Sequence, residues 1–148
     1  MKFVFCFILS MAFVQGRSRE TWPATPQQQI KWDAATAWKI YHIVDRRAAS
    51  YSVDTLDGFP SRALNNDSMK TFLSGVRPLV MKNPAWMGYY IASCIVPSGE
   101  KRKLLISMYG GFFLDQKSGD YYELPEIVRK DWLSYLSESY ETMEAKSQ

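Results

Sequence analysis

Few residues in this sequence could do acid–base chemistry. His42 is the only imidazole among the 148 residues, and Asp45 follows at a spacing that lets the two side chains meet on one helix face. A nucleophile would have to come from elsewhere, either Cys94 or a serine, and the sequence contains no nucleophile-elbow pattern. We therefore expect His42 to be a partly exposed or core-edge residue, and a small secreted hydrolase that uses it is an alternative interpretation.

Carboxylates offer a second possible chemistry. Four of them cluster near residues 115–126 and could pair for glycoside hydrolysis, although acids around a turn are more often solvated turn residues; they are Asp115, Asp120, Glu123 and Glu126. Twelve residues, 115–126, also have the length of a calcium loop, but Lys117 occupies a ligand position and Asp120 stands where the loop needs glycine. The sequence predicts no metal and no cofactor.

The same stretch, MYGGFFLDQKSGDYYELPE at 108–126, favours binding over catalysis. Lys117–Gly119 can form a three-residue hairpin loop with Gly119 in the left-handed conformation. Side chains alternate between the two faces of each flanking strand. One face can pack on the core, and we expect the other to display aromatic and acidic groups suited to a protein or a saccharide. The predicted binding residues are Phe113, Asp115, Tyr121 and Glu123. The competing interpretation is that these aromatic residues only pack the domain.

A long helix over residues 26–49 is predicted to precede this region. Thr25 can cap it, Pro26 can occupy its first position, and Arg47 near its end suits the helix dipole. Its apolar residues recur at steps of three and four, which places them on one face; they are Ile30, Ala34, Ala37, Tyr41, Val44 and Ala48. A short second helix is predicted from a cap at Asp67 to a stop at Gly75.

The C-terminal half has strand composition followed by a helix. Residues 85–96 are rich in aromatic and β-branched types, and the turn sequence PSGEK separates them from a second apolar run. A first hairpin there continues into the second one, and Pro125 can open a helix whose apolar face is lined by Trp132, Leu133, Leu136, Tyr140 and Met143. The resulting prediction is an α+β fold with a long N-terminal helix, an antiparallel three- to four-stranded meander and a C-terminal helix.

The first sixteen residues have the pattern of a secretory signal peptide. Lys2 precedes an apolar run from Phe3 to Val14, which is too short to span a bilayer. We expect cleavage after Gly16, so that residues 1–16 are removed and 17–148 form one domain without a stable membrane anchor. Cleavage removes Cys6 and leaves Cys94 without a disulfide partner. A chain of this size can dispense with disulfides, which favours a bacterial periplasmic or secreted protein.

The nearly balanced charge of the chain argues against nucleic acid as its main partner. Seventeen basic and fifteen acidic residues remain after cleavage, a surplus too weak to indicate nucleic acid as the main partner. The hypothesis that follows is a small exported non-enzymatic binding protein, such as an inhibitor, an immunity-type protein or an envelope accessory protein. A structural or assembly subunit is a further alternative, and the sequence leaves the partner and the oligomeric state open.

Overall fold

An antiparallel sheet of seven strands forms the centre of the protein. The computed structural model describes residues 29–45, 47–80 and 84–147. The strands, in chain order, are β1 (Thr36–Tyr41), β2 (Ser61–Ala63), β3 (Arg77–Pro78), β4 (Tyr89–Ile95), β5 (Lys101–Ser107), β6 (Phe112–Asp115) and β7 (Asp120–Glu123). Their spatial order is β2-β1-β4-β5-β6-β7-β3. The helices are α1 (Asn66–Leu73) and α2 (Glu126–Ser147), and 3₁₀ turns lie at Trp32–Ala34, Ala48–Ser50 and Thr55–Gly58.

The predicted fold, with its long N-terminal helix and meander of three or four strands, is wrong. Within the described residues, the region assigned to that helix instead contains a 3₁₀ turn and β1, which pairs with β2 and β4. Three of the six residues with helical spacing are alanines, and those at positions 34 and 37 are exposed. Burial of the large Trp38, Ile40 and Tyr41 side chains on a sheet is worth about 1.5–3 kcal/mol each. That gain exceeds the few tenths of a kcal/mol per residue by which helix propensities differ.

Other predicted elements are present in the described part of the chain. β4 and β5 form the first hairpin, with Tyr89 paired to Ser107 and Ile95 paired to Lys101. The short helix α1 begins two residues earlier than expected, because the cap is Asn65, whose side chain accepts a hydrogen bond from the backbone N–H of Ser68 at 2.9 Å. α2 follows Pro125 directly. The predicted signal peptide and the predicted helix start at Thr25 and Pro26 lie outside the described residues.

Helices pack on one face of the sheet, and an irregular segment packs on the other. On one face, α1, α2 and the first 3₁₀ turn enclose the larger core, whose fully buried members include Trp132 and Leu136 from α2. On the other face, residues 42–60, which contain the second and third 3₁₀ turns, cover a smaller cluster built on Tyr41, Ile91 and Leu105. We call these the helix face and the loop face. The binding residues predicted from sequence are divided between them.

Candidate functional site

The structure does not bring the four predicted binding residues together. Phe113 and Asp115 lie on the helix face and are completely buried, whereas Tyr121 and Glu123 lie on the loop face and are partly exposed. Cross-strand pairing explains the separation, because directly paired residues share a face. Phe113 is paired with Tyr122, and Tyr121 is paired with Leu114. The expected single face made of all four residues is therefore not found.

One residue of loop length accounts for this error. A three-residue loop at 117–119 would pair Gln116 with Asp120 and would place Phe113 opposite Glu123. The observed hairpin instead pairs Asp115 with Asp120, so the loop has four residues, 116–119. A shift of one residue moves a strand's side chains to the opposite face. The expected left-handed conformation of Gly119 is present, with φ of +76°.

Asp115 organises the hairpin from inside the core. One carboxylate oxygen accepts hydrogen bonds from Arg102 Nη1 at 2.7 Å and from Ser118 Oγ at 3.0 Å. The other oxygen accepts a bond from the backbone N–H of Lys117 at 3.2 Å, which is the pattern of an Asx turn. Arg102 also pairs with Glu100 at 2.9 Å. The carboxylate is thus committed to internal contacts in the turn and the core.

Four aromatic rings form the aromatic patch on the loop face: Trp86, Tyr89, Phe112 and Tyr121. All four are partly buried, and Trp86 lies among the other three. Its ring centroid is 4.9 Å from that of Phe112, 6.0 Å from that of Tyr89 and 6.2 Å from that of Tyr121. The segment before β4 carries Trp86 to the sheet, while β6 and β7 supply Phe112 and Tyr121. Neighbouring strands are about 4.8 Å apart, so rings on adjacent strands are in contact range.

Charged side chains lie beside the aromatic patch, and two exposed aliphatic side chains lie close to its elements along the chain. Glu123 accepts a hydrogen bond from Arg77 Nε at 2.6 Å, and its second oxygen lies 3.5 Å from Arg129 Nη2. Met87 directly follows Trp86 in sequence and is 81% exposed, and Val80 is 94% exposed. Aromatic residues, methionine and arginine are the types enriched at protein interfaces. The patch therefore has the composition of a binding surface.

Sequence reasoning found Tyr121 and Glu123 but missed Trp86, Tyr89 and Phe112. The density of aromatic residues in AWMGYY at 85–90 was a usable signal, and we interpreted it only as strand composition. Phe112 was assigned to the opposite side by the error in loop length. The contact of Trp86 with β6 and β7 joins segments about 26 to 35 residues apart in sequence, which local periodicity does not reveal.

His42 contacts α2 instead of Asp45. Its Nε2 lies 3.4 Å from a carboxylate oxygen of Glu144, and its ring is 5.1 Å from that of Tyr140. Asp45 instead accepts a short hydrogen bond from the Tyr51 hydroxyl, and this bond lowers the pKa of Asp45. The arrangement joins residues 42–60 to the end of α2. The His42–Asp45 contact that the spacing allowed is therefore replaced by contacts with Glu144 and Tyr51.

Lys103 is a buried cation on the loop face. Its side chain is 5% exposed, and Nζ donates to the backbone carbonyls of Ala48, Ala49 and Tyr51 at 2.9, 2.9 and 2.6 Å. Burial lowers the pKa of Lys103 to about 8. Between about pH 8 and 10.5 the unfolded chain holds a proton that the folded chain has released, so stability should rise with pH across this window. The lysine fastens the covering segment to the sheet.

The Cys94 thiol is not placed for nucleophilic catalysis. Cys94 is buried in the larger core, and desolvation strongly raises the pKa of its thiol, which makes the nucleophilic thiolate scarce. Among the described residues, no group of three or more His, Cys, Asp or Glu side chains could hold a metal ion. No helix in the same part of the chain combines the length and the apolar character needed to cross a membrane.

Comparisons with known proteins do not assign the chain to a family or a function. No family model, curated protein or solved structure matches the chain.

Proposed function

We propose that this chain is an exported non-enzymatic binding protein whose contact surface is the aromatic patch. The observation that carries the proposal is the cluster formed by Trp86 with Tyr89, Phe112 and Tyr121 on the sheet face. Tyrosine and tryptophan contribute large contact areas and lose little conformational entropy on binding. Interface residues of these types account for much of the binding free energy in protein complexes.

Export is a separate part of the proposal. It is supported by the sequence pattern of residues 1–16, with a cation, a short apolar run and a polar continuation. An inhibitor, an immunity-type protein or an envelope accessory protein would combine export with binding and require no catalytic residues. Fractionation of cells that produce the full chain would test this part, with cleavage after Gly16 verified by mass spectrometry. Retention of an uncleaved chain in the cytoplasm would contradict it.

Surface variants test the binding surface. Trp86→Ala and Tyr121→Ala should each weaken partner binding at least tenfold, the loss of about 1.4 kcal/mol or more that defines an important contact residue. Tyr109→Ala is the matched control, because Tyr109 is 67% exposed and lies beside α2, away from the patch. Binding would be measured by biolayer interferometry against fractionated envelope proteins and against a glycan array.

Three results would distinguish the interpretations. Loss of binding in the patch variants alone, with thermal unfolding close to that of the wild type, supports the proposal. Equal binding by all the variants would contradict it. Self-association by light scattering that is abolished by Trp86→Ala would instead favour an assembly subunit.

A further inference from the structure

We propose that the partner of the aromatic patch presents an acidic peptide segment, with a carboxylate that pairs with the guanidinium of Arg77. This inference rests on the proposed function and names the partner class for the same surface. Two features support it: the arginines beside the rings, and the exposed Met87 and Val80 close to patch elements along the chain.

The charge beside the patch is net positive. Glu123 uses one carboxylate oxygen for Arg77 and lies with the other near Arg129. Two guanidinium groups therefore share one carboxylate. A ligand that adds a second carboxylate would complete the pairing, whereas a basic ligand would meet two arginines.

Arg77 is placed to make that contact. Its side chain is 74% exposed, and its Nε is the atom that donates to Glu123. In the described part of the chain, its terminal Nη groups have no hydrogen-bond partner. Two parallel N–H groups of a guanidinium match the two oxygens of a carboxylate. Arg77 is paired across the strands with Glu123, and Glu123 with Phe112, so the backbone of Arg77 is about 10 Å, two strand spacings, from that of Phe112.

Aliphatic exposure favours a peptide over a saccharide. Met87 and Val80 are almost fully exposed next to patch elements, and the backbone N–H of Leu79, the residue before Val80, donates to the carbonyl of Tyr121 at 2.8 Å. A saccharide stacks on aromatic rings, but contact with aliphatic side chains such as those of Met87 and Val80 adds little to its binding free energy. A peptide that carries apolar and acidic residues uses the rings, the aliphatic groups and the guanidinium together.

A selection experiment tests the inference without a known partner. A displayed library of random twelve-residue peptides would be selected on the purified protein, with its Trp86→Ala, Arg77→Gln and Arg62→Gln variants as parallel baits. Arg62 is the charge-matched control, because it is exposed on β2 at the opposite edge of the sheet. We expect wild-type and Arg62→Gln baits to enrich peptides with a net negative charge and an aromatic or aliphatic residue.

Affinity measurements on the enriched peptides complete the test. Arg77→Gln should weaken the binding of these peptides about three- to tenfold, as expected for a partly exposed ion pair, and should make the binding less dependent on salt concentration. Trp86→Ala should abolish peptide binding. Enriched peptides that are neutral or basic, or that bind Arg77→Gln with unchanged affinity, would overturn the acidic-peptide inference.

The experiment separates this inference from the proposed function. Patch-dependent signals on a glycan array, in the absence of patch-dependent peptides, would leave the binding function in place and overturn the acidic-peptide inference. If neither ligand class distinguishes the wild type from Trp86→Ala, the patch is not a binding surface and both proposals fail.

Discussion

Replacement of Asp115 by asparagine tests whether this residue acts in the fold or in binding. The change keeps the size of the side chain and one acceptor oxygen, and it removes the charge that faces Arg102 at 2.7 Å. Asp115 is fully buried and the Arg102 side chain is 13% exposed, so water cannot readily replace the lost partner. We therefore expect the main effect on the free energy of unfolding.

The magnitude follows from the contacts that each variant retains. Breaking a buried ion pair by removal of one partner costs about 3–5 kcal/mol. Arg102 keeps its pairing with Glu100, and asparagine can still accept one of the turn hydrogen bonds, so about 2–3 kcal/mol is expected for Asp115→Asn. Asp115→Ala loses the turn contacts as well and should cost about 1 kcal/mol more.

Urea unfolding followed by tryptophan fluorescence measures this loss. With a slope of about 1.5 kcal/mol/M for a domain of this size, the midpoint for Asp115→Asn should fall by about 1.3–2 M. Asp120→Asn is the matched control, because Asp120 faces Asp115 across the hairpin and its carboxylate makes no hydrogen bond or ion pair within the described residues. Its midpoint should remain within about 0.3 M of the wild type, a change of about 0.5 kcal/mol.

One pattern of results would refute the reasoning about Asp115. If Asp115→Asn unfolds at the wild-type midpoint yet loses binding to a partner, the carboxylate acts at a contact surface. The buried ion pair would then have no energetic role, and the division of the predicted residues between two faces would have to be abandoned.

Three further predictions concern a lysine, a helix cap and a thiol. The stability of the wild type relative to Lys103→Met should rise by about 1.6 kcal/mol from pH 8 to 9.5, and a constant difference in urea midpoints would contradict the lowered pKa. Asn65→Ala should cost about 1 kcal/mol in thermal unfolding, since it removes the α1 cap; an unchanged Tm would oppose this. Cys94 should react with a thiol reagent only when urea unfolds the chain, so rapid labelling in native buffer would count against its burial.

The sequence predicted elements whose signals are local. Pro125 and the apolar spacing of α2 marked its start and its buried face, and the turn residues between β4 and β5 marked the first hairpin. β1 was missed because alanines in the region imitate a helical stripe. The large residues decide the outcome there, and their burial depends on β2 and β4, which follow later in the chain.

The sequence predicted only Tyr121 and Glu123 of the candidate site, because the rest depends on contacts between strands. Alternation along β6 and β7 showed that each strand has two faces, but which residues share a face depends on the register between the strands. That register was determined by Asp115, whose side chain bonds to Lys117 and Ser118 and stabilises a four-residue loop. Composition suggested a binding carboxylate at this position, and the contacts show a carboxylate that shapes the turn.

The aromatic patch is partly exposed because the segment that packs on the loop face covers only part of that face. The described residues between 42 and 60 contain two short 3₁₀ turns and no longer helix or strand, and their apolar side chains enclose the cluster around Tyr41, Ile91 and Leu105. Lys103 holds this cover at residues 48–51. Further along the sheet, Phe112 and Tyr121 receive Trp86 from the segment before β4 and remain partly exposed. Phe112 and Tyr121 are therefore rings of the hairpin that the covering segment does not enclose, and they remain partly exposed to a partner.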